Sequence, residues 1–399
     1  MDKQTRMEAM LTMDRLMPSM VANRRHLHRH PELSFHEKET SSWIVSKLAE
    51  LGCVDVRTEV GGHGVVAELK GSEPGPVVAL RADMDALPIQ EEKESEYRST
   101  VPGVMHACGH DAHTASLLGI AAYYQSLQGR FKGTRRLLFQ PAEELTPGGA
   151  LPMIKDGALD GADAIYGVHL WSPVPAGQVS IRGGAFMAGV DEFTIDIIGR
   201  GGHGGMPQDT ADAIVAGSAL VQALHTVVSR NVSPLDTAVL TIGSFQAGEA
   251  SNIIAGHCRL KGTVRSFDLR VRDRVRSRIE ELVRGICAGF GTEGRLNYRE
   301  GYPPVINDAA EAERCRSAAV DLFGPEAVGE SELITAGEDF AYYLERIPGC
   351  FLFVGAGNPE LDAIYPHHHP RFDLDESSMH QSALLLIGCA ERFVSDWSE

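Results

Sequence analysis

Apolar residues recur along this chain in two rhythms, one helical and one alternating. Leu11, Met17, Val21 and Leu27 share one helical face, which predicts a helix over 4–29 that closes before Pro31. A second helix is predicted over 37–51 and ends at Gly52. Strands are predicted at 54–60, 64–69 and 76–82; the last is an apolar run of the kind a sheet covered on both faces shows. A polar loop at 90–101 precedes a helix over 112–127, rich in Ala and Leu. Strands at 136–140 and 164–169 flank a short helix at 149–156. From residue 187 the pattern changes. Residues 191–198 alternate strictly, as a half-exposed antiparallel strand does, and a helix (212–228), two strands (237–244, 254–266), a helix (268–290) and a strand (296–300) follow. That β-α-β-β-α-β order is the ferredoxin-like split unit. Residues 187–302 are therefore expected to form an inserted α+β domain, a lid or dimerisation module. Residues 1–186 and 303–399, with helices at 309–322 and 377–394 and a strand at 351–354, are expected to form one discontinuous catalytic domain of the α/β class. Its sheet should be mixed but mostly parallel, with helices on both faces.

Length supports two hydrophobic cores, since 399 residues exceed the usual size of one. The net charge of −17 argues against nucleic acid or an anionic membrane surface as partner. It does not exclude a small anionic substrate, because a local Arg or metal outweighs the global field. Seven scattered cysteines without a C-x-x-C pair suit a reducing cytoplasm better than a disulfide framework. The first residues mix charges with Met and Leu and lack the apolar core of a signal peptide. No stretch reads as a transmembrane span.

The chemistry gathers around residues 105–111, Met-His-Ala-Cys-Gly-His-Asp, with His113 just beyond. Small spacers at Ala107 and Gly109 let the neighbouring side chains converge. Cys and His are common ligands of zinc, whereas carboxylates suit harder ions such as manganese. For this stretch alone two readings stay open: metal ligands, or a buried thiol beside satisfied core histidines. His26, His28 and His30 are open in the same way, as ligands or as a solvated helix end. Further groups fall at predicted strand ends and turns: Asp83 and Asp85, Glu143 and Glu144, His169, Glu338 and Asp339, His368. Two carboxylates ending a buried strand are costly unless paired or metal-bound. One metal needs three or four donors, so this surplus points to two metals sharing a bridging ligand.

The stretches MHACGHDAH, QPAEE, GRGGHGGMPQDTADAI, GTVRSF, GEDF and HHHPRFDLDE occur in unbroken order. From about residue 24 onward the chain resembles the hippurate hydrolase, N-acyl-amino-acid amidohydrolase and auxin-conjugate hydrolase branch of the dinuclear metallo-carboxypeptidases and aminoacylases. The resemblance implies two divalent metal ions per subunit, manganese or zinc first and nickel or cobalt as alternatives. It implies ligands at Cys108, His110, Glu144, His169 and His368, the last chosen by the family's His-x-Pro pattern, with Cys108 as the bridge. Glu143 is the implied general base, and Asp85 and Glu338 support the site. His203, Asn252 and Arg265 match positions that hold the scissile carbonyl and the substrate carboxylate, with His203 supplied by the same chain or by a second subunit. The implied reaction is metal-dependent hydrolysis of N-acyl amino acids, hippurate-like, acetyl or indole-acetyl, by a homodimer joined through the inserted domain or by a higher oligomer. A dipeptidase or carboxypeptidase on the same scaffold is the alternative.

Overall fold

The computed structural model describes residues 3–397. Two helices open the chain, α1 (Lys3–Arg29) and α2 (Lys38–Glu50). Then come β1 (Asp55–Val60), β2 (Gly64–Lys70), β3 (Glu73–Asp83), α3 (His110–Ser126), β4 (Lys132–Gln140), α4 (Ala150–Lys155), β5 (Ala164–Pro175) and β6 (Val179–Ile181). After β7 (Gly184–Met187) the chain enters a second unit. This contains β8 (Gly189–Ile198), β9 (Gly202–His203), α5 (Ala213–Asn231), β10 (Ala238–Ala247), β11 (Ile253–Ile254), β12 (His257–Ser266), α6 (Leu269–Gly289) and β13 (Glu293–Glu300). It returns through β14 (Val305–Asn307) to α7 (Ala309–Phe323), β15 (Val328–Glu330), α8 (Ala341–Leu344), β16 (Gly349–Gly357) and α9 (Ser377–Asp396).

The first unit is built on an eight-stranded sheet of order β1-β2-β4-β3-β5-β16-β6-β15. Its centre, β4-β3-β5-β16, is parallel, and antiparallel pairs lie toward both edges. Successive strand residues point to opposite faces. Val78, Leu80 and Ala82 of β3 accordingly join a core with residues of α1, α3, α7 and α9. Arg81 points the other way and is equally buried, beside Asp339, Gln140 and the start of α4. Both faces are thus covered, which is why the central strands read as continuous apolar runs. Because β3, β4 and β5 are parallel, their carboxyl ends share one edge, where crevices in such sheets form.

The second unit is a four-stranded antiparallel sheet, β10-β12-β8-β13, the ferredoxin-like order. Phe193, Ile195 and Ile197 of β8 pack with Leu220 and Leu224 of α5 and with Val275, Ile279 and Val283 of α6. Asp212 and Asp268 cap the two helices, accepting from Ile214 N–H and Arg270 N–H. The unit comprises Ala185–Val305 and also Leu333–Glu338, a hexapeptide that follows it by almost thirty residues. Ile334 N–H donates to Phe186 O, and Ala188 N–H to Ile334 O. Helix α5 is long and apolar enough to cross a membrane by length and composition, contrary to the sequence expectation of no such span. Its Ala213, Ala216, Leu220, Leu224 and Val227 are instead buried as one stripe on the sheet, the pattern of a core helix.

Candidate metal centre and active site

Gly109 adopts φ +94, a conformation open to glycine at little cost, and this turn starts α3 at His110. Cys108 sits just before the turn and His110 just after it, so both side chains reach the carboxyl edge of the sheet. His169 arrives on β5, which runs six residues past it. Two groups of donors meet at Cys108. One joins it to His110 and Glu144, the other to His169 and His367; within each group the donor atoms lie within 4.8 Å of one another.

Hydrogen bonds fix the histidine tautomers here. His110 Nδ1 lies 3.0 Å from the Asp85 carbonyl, which only accepts, so Nδ1 carries the proton and Nε2 presents a lone pair. Asp85 Oδ1 lies 3.1 Å from the same nitrogen. His169 Nδ1 donates to Leu170 O at 3.0 Å, leaving Nε2 3.4 Å from Cys108 Sγ. Such anchoring is how proteins orient histidines toward metals. His110 Nε2 and Glu144 Oε1 are buried without a hydrogen-bond partner among the described residues. A buried imidazole nitrogen and a buried carboxylate oxygen turned toward a thiol are the donor set of a cation, so the residues fit the implied metals.

The titration behaviour follows from this arrangement. Burial would lower His110, but Asp83, Asp85 and Glu144 outweigh it and raise it to about 10. The carboxylates around His110 thus make a field that favours positive charge there. Burial, then Glu144 and Glu143, push the Cys108 thiol well above its usual value. A bound cation reverses that balance and favours thiolate. Burial, with His113 and His367 nearby, keeps His169 well below the ordinary histidine value, hence neutral as a ligand must be.

Distance groups His367 with Cys108 and His169, and its Nδ1 is buried without a hydrogen-bond partner among the described residues, but its Nε2 is engaged. Ser172 N–H donates to its Nε2 at 3.2 Å, which puts the ring proton on Nδ1. Its ring stacks on Trp171 at 4.5 Å. His368 is half-exposed, has φ +65 and places Nε2 3.2 Å from Glu144 Oε1. His113, by contrast, is satisfied at both nitrogens, by Asp83 Oδ1 at 2.6 Å and by Leu170 N–H at 2.9 Å. Glu143 is buried at the turn after β4. Asp85 also accepts from Glu144 N–H at 3.0 Å and Ser34 Oγ at 2.7 Å. Asp339 is bound to Arg81, Gln140 and Ala150 N–H, a structural role, and burial lifts it to about 6.

In the second unit, the strand pair β9–β11 sets His203 opposite Ile253, next to Asn252. Gly205 N–H donates to His203 Nδ1 at 3.0 Å, so an exposed Nε2–H remains to donate outward. Arg265 is half-buried on β12 and donates to Thr335 O at 3.0 Å. Glu338 is buried at the end of the hexapeptide of this unit.

The sequence reading missed the groups behind this edge. Arg24 of α1 is fully buried against Asp111, Asp373 and Glu376. His28 is neither a solvated helix end nor in any donor group of the centre: it lies between Asp111 at 2.8 Å and Glu91 at 3.4 Å. Burial would lower it, but these acids raise it to about 9. His26 stacks on Trp43. Helical phase carried a faint signal, since Arg24, Leu27 and His28 share an inward face.

Parallel strand ends, a thiol shared by two candidate donor groups and an adjacent buried carboxylate form the kind of arrangement a two-metal hydrolase requires. A profile described as peptidase family M20/M25/M40 matches residues 79–392, and the chain belongs to that family. It is 42% identical to N-acetyl-L-cysteine deacetylase of Bacillus subtilis, over 96% of this chain and 90% of the relative. It is 46% identical to N-acyl-L-amino acid amidohydrolase of Geobacillus stearothermophilus, over 76% and 82%. Among solved structures, a Bacillus subtilis protein described as a dinuclear metal binding peptidase of the M20 family superposes with TM-score 0.84 at 35% identity, over 96% of this chain and 100% of the other.

Proposed function

We propose that this hydrolase cleaves the amide bond of N-acyl amino acids, releasing a carboxylic acid and a free amino acid. The supporting observation is the pair of donor groups sharing Cys108 beside a buried Glu143. Cys108, His110, Glu144, His169 and His368 would hold two divalent cations, manganese or zinc, with Cys108 belonging to both candidate donor groups. When bound, the cations supply Lewis acidity, polarising the amide carbonyl and making water acidic enough to attack at neutral pH. Glu143 takes the proton of the attacking water and passes it to the leaving nitrogen. His203 donates from Nε2 to the developing oxyanion, a contact typically worth about 3–4 kcal/mol. Asn252 and Arg265 hold the carboxylate of the amino-acid half, for which the planar guanidinium is suited. Glu338 supports the site from its own segment. We place the enzyme in the cytoplasm, which suits seven free thiols, and assign it a homodimer through the inserted unit.

The test is a panel of N-acetyl, N-benzoyl and indole-acetyl amino acids and free dipeptides, assayed with manganese or zinc and after chelation. Turnover of acyl amino acids that stops in chelator and returns with metal is expected. Preference for unblocked dipeptides would overturn the substrate assignment, and full turnover after verified metal removal would overturn the mechanism.

A further inference from the structure

Glu37 stands at the start of α2, yet its side chain makes no helix cap. It turns inward and is fully buried. Its Oε1 accepts from the N–H of Ala142 at 2.7 Å, and its Oε2 has no hydrogen-bond partner among the described residues. Ala142 is itself fully buried and holds φ +54, a left-handed conformation in which a Cβ carries a steric cost. It directly precedes Glu143 and Glu144. Two residues on, Glu144 N–H is held by Asp85. Two carboxylates from distant parts of the chain therefore grip alternate N–H groups of one strained turn. Asp85 also holds His110 and so belongs to the metal frame; among the described residues Glu37 makes no hydrogen bond or ion pair with a proposed ligand. Burial, and secondarily Asp85, raise the Glu37 carboxyl to about 7, and the neutral acid still offers an acceptor oxygen.

We propose that Glu37 is a positioning residue whose hold on Ala142 N–H keeps the turn left-handed and so sets the direction of Glu143. This rests on Glu143 being the proton-transferring group.

The test uses the full-length enzyme loaded with manganese and an N-acyl amino acid substrate, with kcat, KM, metal content and melting temperature recorded for each variant. Glu37→Gln keeps an acceptor and should stay within about threefold of wild-type kcat. Glu37→Leu, and the milder Glu37→Asp that withdraws the oxygen, should lower kcat at least about tenfold while KM and metal content hold, since small misplacements of a reacting group have effects of this size. Adding Ala142→Gly should recover part of that loss, because glycine adopts the turn without being held. In a Glu143→Gln background, Glu37→Leu should have no further effect. The proposal is overturned if Glu37→Asp keeps wild-type kcat, if Ala142→Gly recovers nothing, or if Glu37→Leu acts equally with and without Glu143. Full kcat in Glu143→Gln alone is a separate result: it removes the base assignment itself, and this positioning role with it.

Discussion

Glu143 and Glu144 are neighbours with unlike surroundings. Glu144 has its N–H fixed by Asp85 and its Oε1 3.2 Å from His368 Nε2 and 3.8 Å from His110 Nε2. Glu143 lies outside both donor groups that meet at Cys108. Glu144→Gln is expected to lose metal by elemental analysis. Glu143→Gln should keep it and lose at least about a hundredfold in kcat, the usual scale of acid–base catalysis. Reversed phenotypes would invert the assignment. The histidine run gives a second contrast. His368→Ala should cost a metal equivalent. His367→Ala should keep both and instead lower stability by about 1–3 kcal/mol, through an unpaired Ser172 N–H. If His367→Ala is the variant that loses metal, the tautomer argument fails.

At the scale of elements, the start of α2 carries a pH signature. Glu37 is raised from 4.5 to about 7 in the folded protein, so the folded state holds its proton more tightly than the unfolded chain. The stability this provides is complete below about pH 4.5 and is lost as pH rises toward 7. Glu37→Gln has no proton to lose, so its melting temperature should gain on wild type across that window and level off above it; a constant difference would contradict the shift. Little of this was legible in the chain. A Glu beside Lys38 and Glu39 at a helix start has the look of a solvated residue, and only its partner at Ala142, 105 positions away, reveals otherwise. β3 was legible because burial on both faces writes a continuous apolar run, and α3 because of its Ala- and Leu-rich stretch. β6 and β15 have three residues each, too few to show any period. His28 was ambiguous for the same reason as Glu37: its acids, Asp111 and Glu91, are remote in sequence.

At the scale of the whole molecule, whether His203 serves its own chain or a second subunit has a direct test. Two inactive proteins, His203→Ala and Glu143→Gln, are mixed and allowed to exchange subunits. Regained activity is expected if the histidine acts in trans, because one site of each heterodimer is then intact. Proven exchange without recovery would confine His203 to its own chain or remove it from the reaction. The hexapeptide Leu333–Glu338 bears on how such proteins can be recombined. Four peptide links join the two units, after residues 184, 305, 332 and 338, so the second unit is no cassette with one entry and one exit. A gene splice that removes 185–305 strands the hexapeptide, leaving Ile334 without Phe186 and Ala188. A chimera that imports a foreign second unit must therefore import its own version of 333–338. One built from the long insert alone would place Glu338 on backbone that no longer has its matching strand.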